Sequence, residues 1–190
     1  MNYEMMVPPF KQKAFFEMNK SEAKQYFDWY MEEKSKRILI LSNFIKSEGF
    51  NIPLDFTVKS LDSIWQWYIA KIKYREKSKS EIKNEVNRFP EWMLDFITKE
   101  TISYETWMYG MDVAIYFAEV FIHNSEGKIE WGYFTKPKNR IGVNQPTLLG
   151  FKYDKDLNPR TIVANCTRTF AKENSLTMLS DIYLVWKEWV

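Results

Sequence analysis

Residues 105 to 124, ETWMYGMDVAIYFAEVFIHN, run at helical spacing with apolar groups over most of the circumference. A helix that is greasy on nearly every side has to sit at the centre of a fold. One narrow line departs from this: Glu105, Tyr109, Asp112, Tyr116, Glu119 and His123, at spacings of 4, 3, 4, 3 and 4. Such spacing stacks each group about one turn above the last. Glu105, Asp112 and Glu119 are seven residues apart, roughly 10 Å along a helix axis. No two of them can grip one metal ion, or act as a close acid–base pair, without help from another element. The file has two possible fates. It is the one wet edge of a buried helix, as most charge rows are, or it lines a groove and meets basic partners. The expectation is the first, an outward-looking edge.

The flanking sequence organises around this helix. Residues 1–18 read as an irregular arm, because Pro8 and Pro9 forbid a helix there, with Phe10, Phe15 and Phe16 pinning it to the body. Residues 19–190 read as a single globular α+β domain. Asn19 and Glu22 have the spacing of a capping box at the head of a helical stretch that Gly49 stops. The apolar face of that stretch changes near Lys34 to Lys36, which leaves open one bent helix or two. Ser60 caps a helix bearing Leu61, Ile64, Trp65 and Tyr68. Ser78 or Ser80 starts a short helix toward Phe89, Pro90 opens another over EWMLDFI, and Ser103 caps the central one. KIEWGYF and PTLLGFKY are strand-like and bracket a polar loop. One small antiparallel hairpin or sheet is therefore expected near residues 128–153. Asn158 and Pro159 restart helix, and LTMLSDIYLVWKEWV closes the chain as helix. The fold class is α+β, mainly helical.

Several chemistries are excluded by what the chain lacks. One His rules out an HExxH zinc site, and one His with one Cys cannot close a structural zinc site. There is no GxSxG elbow, Walker loop or GxGxxG. No catalytic residue, metal or cofactor is assigned. Cys166 lies in an apolar helical run and reads as a buried small hydrophobe. His123, in the last turn, reads as a cation at the negative end of a helix dipole. The balance of 27 basic to 25 acidic residues argues against a nucleic-acid footprint. Without a run of about 18 apolar residues no helix spans a membrane, and the chain reads as cytoplasmic.

Two further candidates remain. The loop WGYFTKPKNRIGVNQP carries Lys136, Lys138, Asn139, Arg140 and Asn144 beside Trp131. Such loops on a rigid scaffold often carry function, though many are plain solvated connections. The aromatics Trp65, Trp67, Tyr68, Trp92, Trp107, Trp131, Trp186 and Trp189 read as core, except that any exposed Trp would be an interface anchor.

The segments PLDFTVKSLDSIWQWYI and DVAIYFAEVFI…WGYFTKPKNRIGVNQPTLLGF…LNPR resemble a group of uncharacterised cytosolic proteins of low-GC Gram-positive bacteria, a domain of unknown function. Members carry Gly where this chain has Ala118, and Ala keeps that position small. The resemblance implies a bacterial cytosolic protein and supplies no catalytic residue. The reading that follows is a non-enzymatic module that binds a partner protein, of the immunity type, through the file and the loop. The alternative is a carboxylate-dependent enzyme or small-molecule binder with a groove lined by Asp112, Glu119 and Arg140.

Overall fold

The computed structural model describes residues 3–190, with the backbone alone at 171–173. The chain is mainly helical with two small two-stranded antiparallel sheets, the α+β class that the sequence predicts. Its helices are α1 (Lys20–Ser47), α2 (Val58–Ile69), α3 (Lys79–Arg88), α4 (Tyr104–His123), α5 (Pro159–Glu173) and α6 (Met178–Lys187). Its strands are β1 (Tyr74–Glu76), β2 (Glu100–Ile102), β3 (Glu130–Gly132) and β4 (Thr147–Leu149).

Local chemistry starts most helices where the sequence places the signal. Asn19 and Glu22 form a reciprocal capping box on α1, and Ser78 with Glu81 forms another on α3. Ser103 caps α4, and Asn158 caps α5 with Pro159 in the first turn. Each cap satisfies donors that the first turn leaves without partners. The α2 start differs: Thr57 caps it, and the Ser60 hydroxyl turns inward instead. Through Lys34 to Lys36 α1 is one continuous helix. The EWMLDF segment winds as a 3-10 turn, Glu91–Phe96, with Pro90 at its cap.

α4 packs against α1, α2, α5 and α6, so it is the hub that its apolar circumference requires. Residues Val113 to Phe121 along it are all buried. The principal core adds Leu41, Leu61, Ile64, Trp65 and Tyr68 to that helix, and a second cluster gathers Met18, Ala23, Tyr26, Tyr30 and Ile115. Each large apolar side chain buried this way contributes about 1.5–3 kcal/mol. Phe10 and Phe15 of the arm pack on the second cluster, whereas Phe16 is exposed.

The expected hairpin is β3 with β4, paired Glu130 to Leu149, Trp131 to Leu148 and Gly132 to Thr147. Gly150 follows it at φ +101°, where a Cβ would meet the Lys128 carbonyl oxygen at 1.9 Å, so only glycine fits. The second sheet, β1 with β2, is not anticipated by the sequence pattern. It pairs Tyr74 with Ile102 and forms the neck of an excursion that carries α3 and the 3-10 turn.

Candidate functional site

The polar file of α4 does not face solvent along its middle. Asp112 and Tyr116 are fully buried and Glu119 is nearly so, which overturns the expected wet edge. The physical reason lies in α1, which crosses this face and supplies two bases three residues apart. Arg37 donates from Nε to Asp112 Oδ1 at 2.9 Å and from Nη2 to Oδ2 at 2.6 Å. Lys34 Nζ donates to Glu119 Oε1 at 2.7 Å, and Trp131 Nε1 donates to the same oxygen at 2.7 Å. The file is therefore an internal seam in which buried carboxylates have the partners they need.

The arm completes the seam. Tyr3 donates its hydroxyl to Asp112 Oδ2, and the Glu4 carbonyl accepts from Arg37 Nη2 at 2.6 Å. The Tyr3 ring packs edge-on against Phe44 and Tyr109, with centroids 4.8 and 4.7 Å away. Tyr109 thus serves as an aromatic wall. Burial raises the Asp112 carboxyl above its usual range, with Arg37 and Tyr3 pulling the other way. Burial works against the Arg37 charge, but its bonds to Asp112 outweigh this and raise its pKa. The Tyr3 phenol is driven far up, first by burial and then by the Asp112 charge.

Higher on the file, Tyr116 Oη accepts from the Phe56 backbone N–H at 3.0 Å and shares a short hydrogen bond with Ser60 Oγ. The two ends, Glu105 and His123, are exposed, and Tyr109 is half-buried. Glu105 meets Lys73 at 3.2 Å in an exposed pair, a contact worth little. His123 stacks on Phe56 with centroids 4.0 Å apart, and its Nδ1 lies 2.8 Å from the Glu119 carbonyl oxygen.

The loop is not a single free basic patch either. Asn144, at φ 61°, donates through its amide to the Phe15 carbonyl at 2.6 Å and to the Met18 carbonyl at 3.1 Å. Lys138 donates to the same Met18 carbonyl. These residues clasp the arm. Arg140 pairs with Asp156 and covers the Phe134 ring at 3.9 Å. It does not join Asp112 or Glu119 in a common groove. Lys136 and Asn139 are exposed. Cys166 is buried, as its apolar run implies.

A different surface emerges on the excursion. Neither α3 nor the 3-10 turn contributes a buried residue. Ion pairs attach the helix: Arg75 to Glu81, and Lys77 to Glu85 at 2.7 Å. Val86 on α3 and Trp92 and Phe96 on the 3-10 turn are exposed, at 43%, 72% and 73%, while Ile82, Phe89, Met93 and Leu94 are half-buried. Tyr104, at the neck, is also exposed and carries Arg75 over its ring at 4.2 Å. Of these residues only Trp92 carried a signal legible in the sequence.

Among the described residues, no three His, Cys, Asp or Glu side chains gather as a metal site. No helix among them is long and apolar enough to cross a membrane. Comparison with protein-family models, with curated proteins and with solved structures gives no match.

Proposed function

We propose that this chain is a non-enzymatic protein-binding module that docks its partner through the excursion spanning residues 78–96. The observation that carries the reading is the pair Trp92 and Phe96, both more than two-thirds exposed on the 3-10 turn of an excursion that contributes no buried residue from that turn or from α3. A helix of ten residues has little stability of its own in water. Holding one outward, followed by a turn that exposes two large aromatic side chains, is costly unless something covers them. Trp is also the residue type that most often anchors protein interfaces. The immunity-type form of this reading has a toxin as the partner.

The reading ranks above a carboxylate enzyme on the geometry of the seam. Asp112 and Glu119 already hold Arg37 and Lys34, and Arg140 holds Asp156. Those groups support a structural role, which moves the docking surface from the file to the excursion.

A photo-crosslinking residue placed at position 92 in producing cells tests this, with position 184 on α6 as the exposed control. The expected result is one discrete adduct from position 92, absent from 184 and lost when Phe96→Asp is added. Equal labelling from both positions, or none from 92, refutes the proposal.

A further inference from the structure

A cleft of about 360 Å³ lies between α4 and α5. Trp107 and Met111 line it from α4, Arg160, Ala164 and Arg168 from α5, and Gln145 from the loop. Its size is that of a small-molecule pocket. Among the described residues no acidic one lines it, while two arginines do.

The state of those arginines sets them apart from the ion-paired ones of the molecule. Arg37, Arg75 and Arg140 each hold a carboxylate. Among the described residues Arg160 and Arg168 hold none. Arg160 Nη1 is out of solvent contact and has no hydrogen-bond partner among the described residues. Its guanidinium lies 5.3 Å from the Phe15 ring. Arg168 rests 5.1 Å from the Trp107 ring and, among the described residues, hydrogen-bonds only Asn165 Oδ1, at 3.4 Å. Arg160 is half-buried and Arg168 exposed; a cation partly withdrawn from water without a counter-charge, as Arg160 is, gains from an anion arriving beside it. Arg160 also sits in the first turn of α5, the positive end of the helix dipole, which disfavours a cation and favours an anion.

Spacing supports a shared ligand. Arg160, Ala164 and Arg168 follow at intervals of four, so they lie along one side of α5. Ala164 keeps the space between the two arginines open. Their backbones are roughly 12 Å apart along the axis, a span that two arginine side chains can close onto one small molecule. Trp107 and Met111 offer an apolar wall opposite.

We propose that this cleft binds a small organic anion, its phosphate or carboxylate groups on Arg160 and Arg168 and its apolar body against Trp107 and Met111. The site is separate from the excursion, and neither proposal depends on the other.

Titration calorimetry of the full chain with phenyl phosphate, phthalate and inorganic phosphate tests it, with phenol and matched sodium chloride as controls. The expected result is saturable binding of phenyl phosphate or phthalate, and none of phenol. The tighter of the two tells a phosphate site from a carboxylate site. Arg160→Gln and Arg168→Gln should each weaken that binding about tenfold or more, the loss of a charge-assisted hydrogen bond. Ala164→Leu, which fills the cleft and leaves both charges, should abolish it. Binding that survives all three substitutions overturns the proposal. So does the absence of binding by every anion up to about 10 mM, where affinity falls below that of a specific site.

Discussion

Replacing Arg37 by Met removes one half of a pair whose side chains are 3% and 0% exposed. The Asp112 carboxylate would lose donors at 2.9 and 2.6 Å and keep only the Tyr3 hydroxyl. Stranding a buried charge in this way costs about 3–5 kcal/mol. Unfolding entropy of about 2.1 cal/mol/K per residue, over 190 residues, gives roughly 0.4 kcal/mol/K. The midpoint of thermal unfolding should therefore fall by about 8–12 °C. The informative comparison adds Asp112→Leu. With both charges gone nothing remains stranded except the Tyr3 hydroxyl and the Glu4 carbonyl. The double variant should then recover most of the loss, because an apolar pair of similar volume often replaces a buried ion pair at little cost. Urea unfolding of both singles and the double, read by far-UV circular dichroism, completes the cycle. A loss below about 1 kcal/mol in the Arg37→Met single, or a double loss equal to the sum of the singles, would show that the seam is not a coupled buried pair.

Three other outcomes follow from the geometry. Tyr3→Phe keeps the ring and removes one donor to a buried carboxylate, and should cost about 1.5–3 kcal/mol in the same unfolding assay while exposing the arm to proteolysis. Gly110→Ala should destabilise by about 1–3 kcal/mol, because the new Cβ would lie 2.7 Å from Tyr68 Oη. That hydroxyl is committed to Thr167 and the Thr106 carbonyl, and burial pushes its pKa up to about 12. The third outcome concerns acid. The Arg75 bond, then those from Ser78, hold the Glu81 carboxyl down at about 2, against an ordinary value of 4.5. Its folded pKa is depressed, so its contribution is present above pH 4.5 and is lost as pH falls toward 2. Amide exchange in α3 should accelerate through that window, and Glu81→Gln should remove the pH dependence.

The fold was legible where the signals are local. The caps at Asn19, Ser78, Ser103 and Asn158 each need only residues within the first turn, and the structure forms all four. The β3–β4 hairpin was readable from its strand-forming runs. The β1–β2 ladder was not, because each strand has three residues and a helix and a 3-10 turn separate them. The seam was half legible. Its spacing stood out, but its burial depends on Arg37 and Lys34, which lie 75 and 85 residues from their partners. Nothing within α4 distinguishes a solvated carboxylate from one waiting for a distant base. The loop misled for a related reason: its amide and ammonium groups satisfy backbone carbonyls of the arm, 120 and more residues away, and a carbonyl has no letter in a sequence. Exposure of Trp92 and Phe96 depends on which faces the body covers, and that too is settled only in three dimensions.

The contact between Tyr3 and Asp112 also sets an order in time. Tyr3 is made 109 residues before Asp112, an interval of roughly 5–20 s at ordinary rates of translation. Asn144, which holds the arm at Phe15, comes 129 residues after it. Until α4 emerges, α1 carries Arg37 with no carboxylate to meet it, and the arm has neither its floor nor its clasp. The arm is thus made well before the groups that hold it, and finds its place only after they emerge. Ordering of the arm on a nascent chain would report that the central helix and the loop beyond it have both arrived.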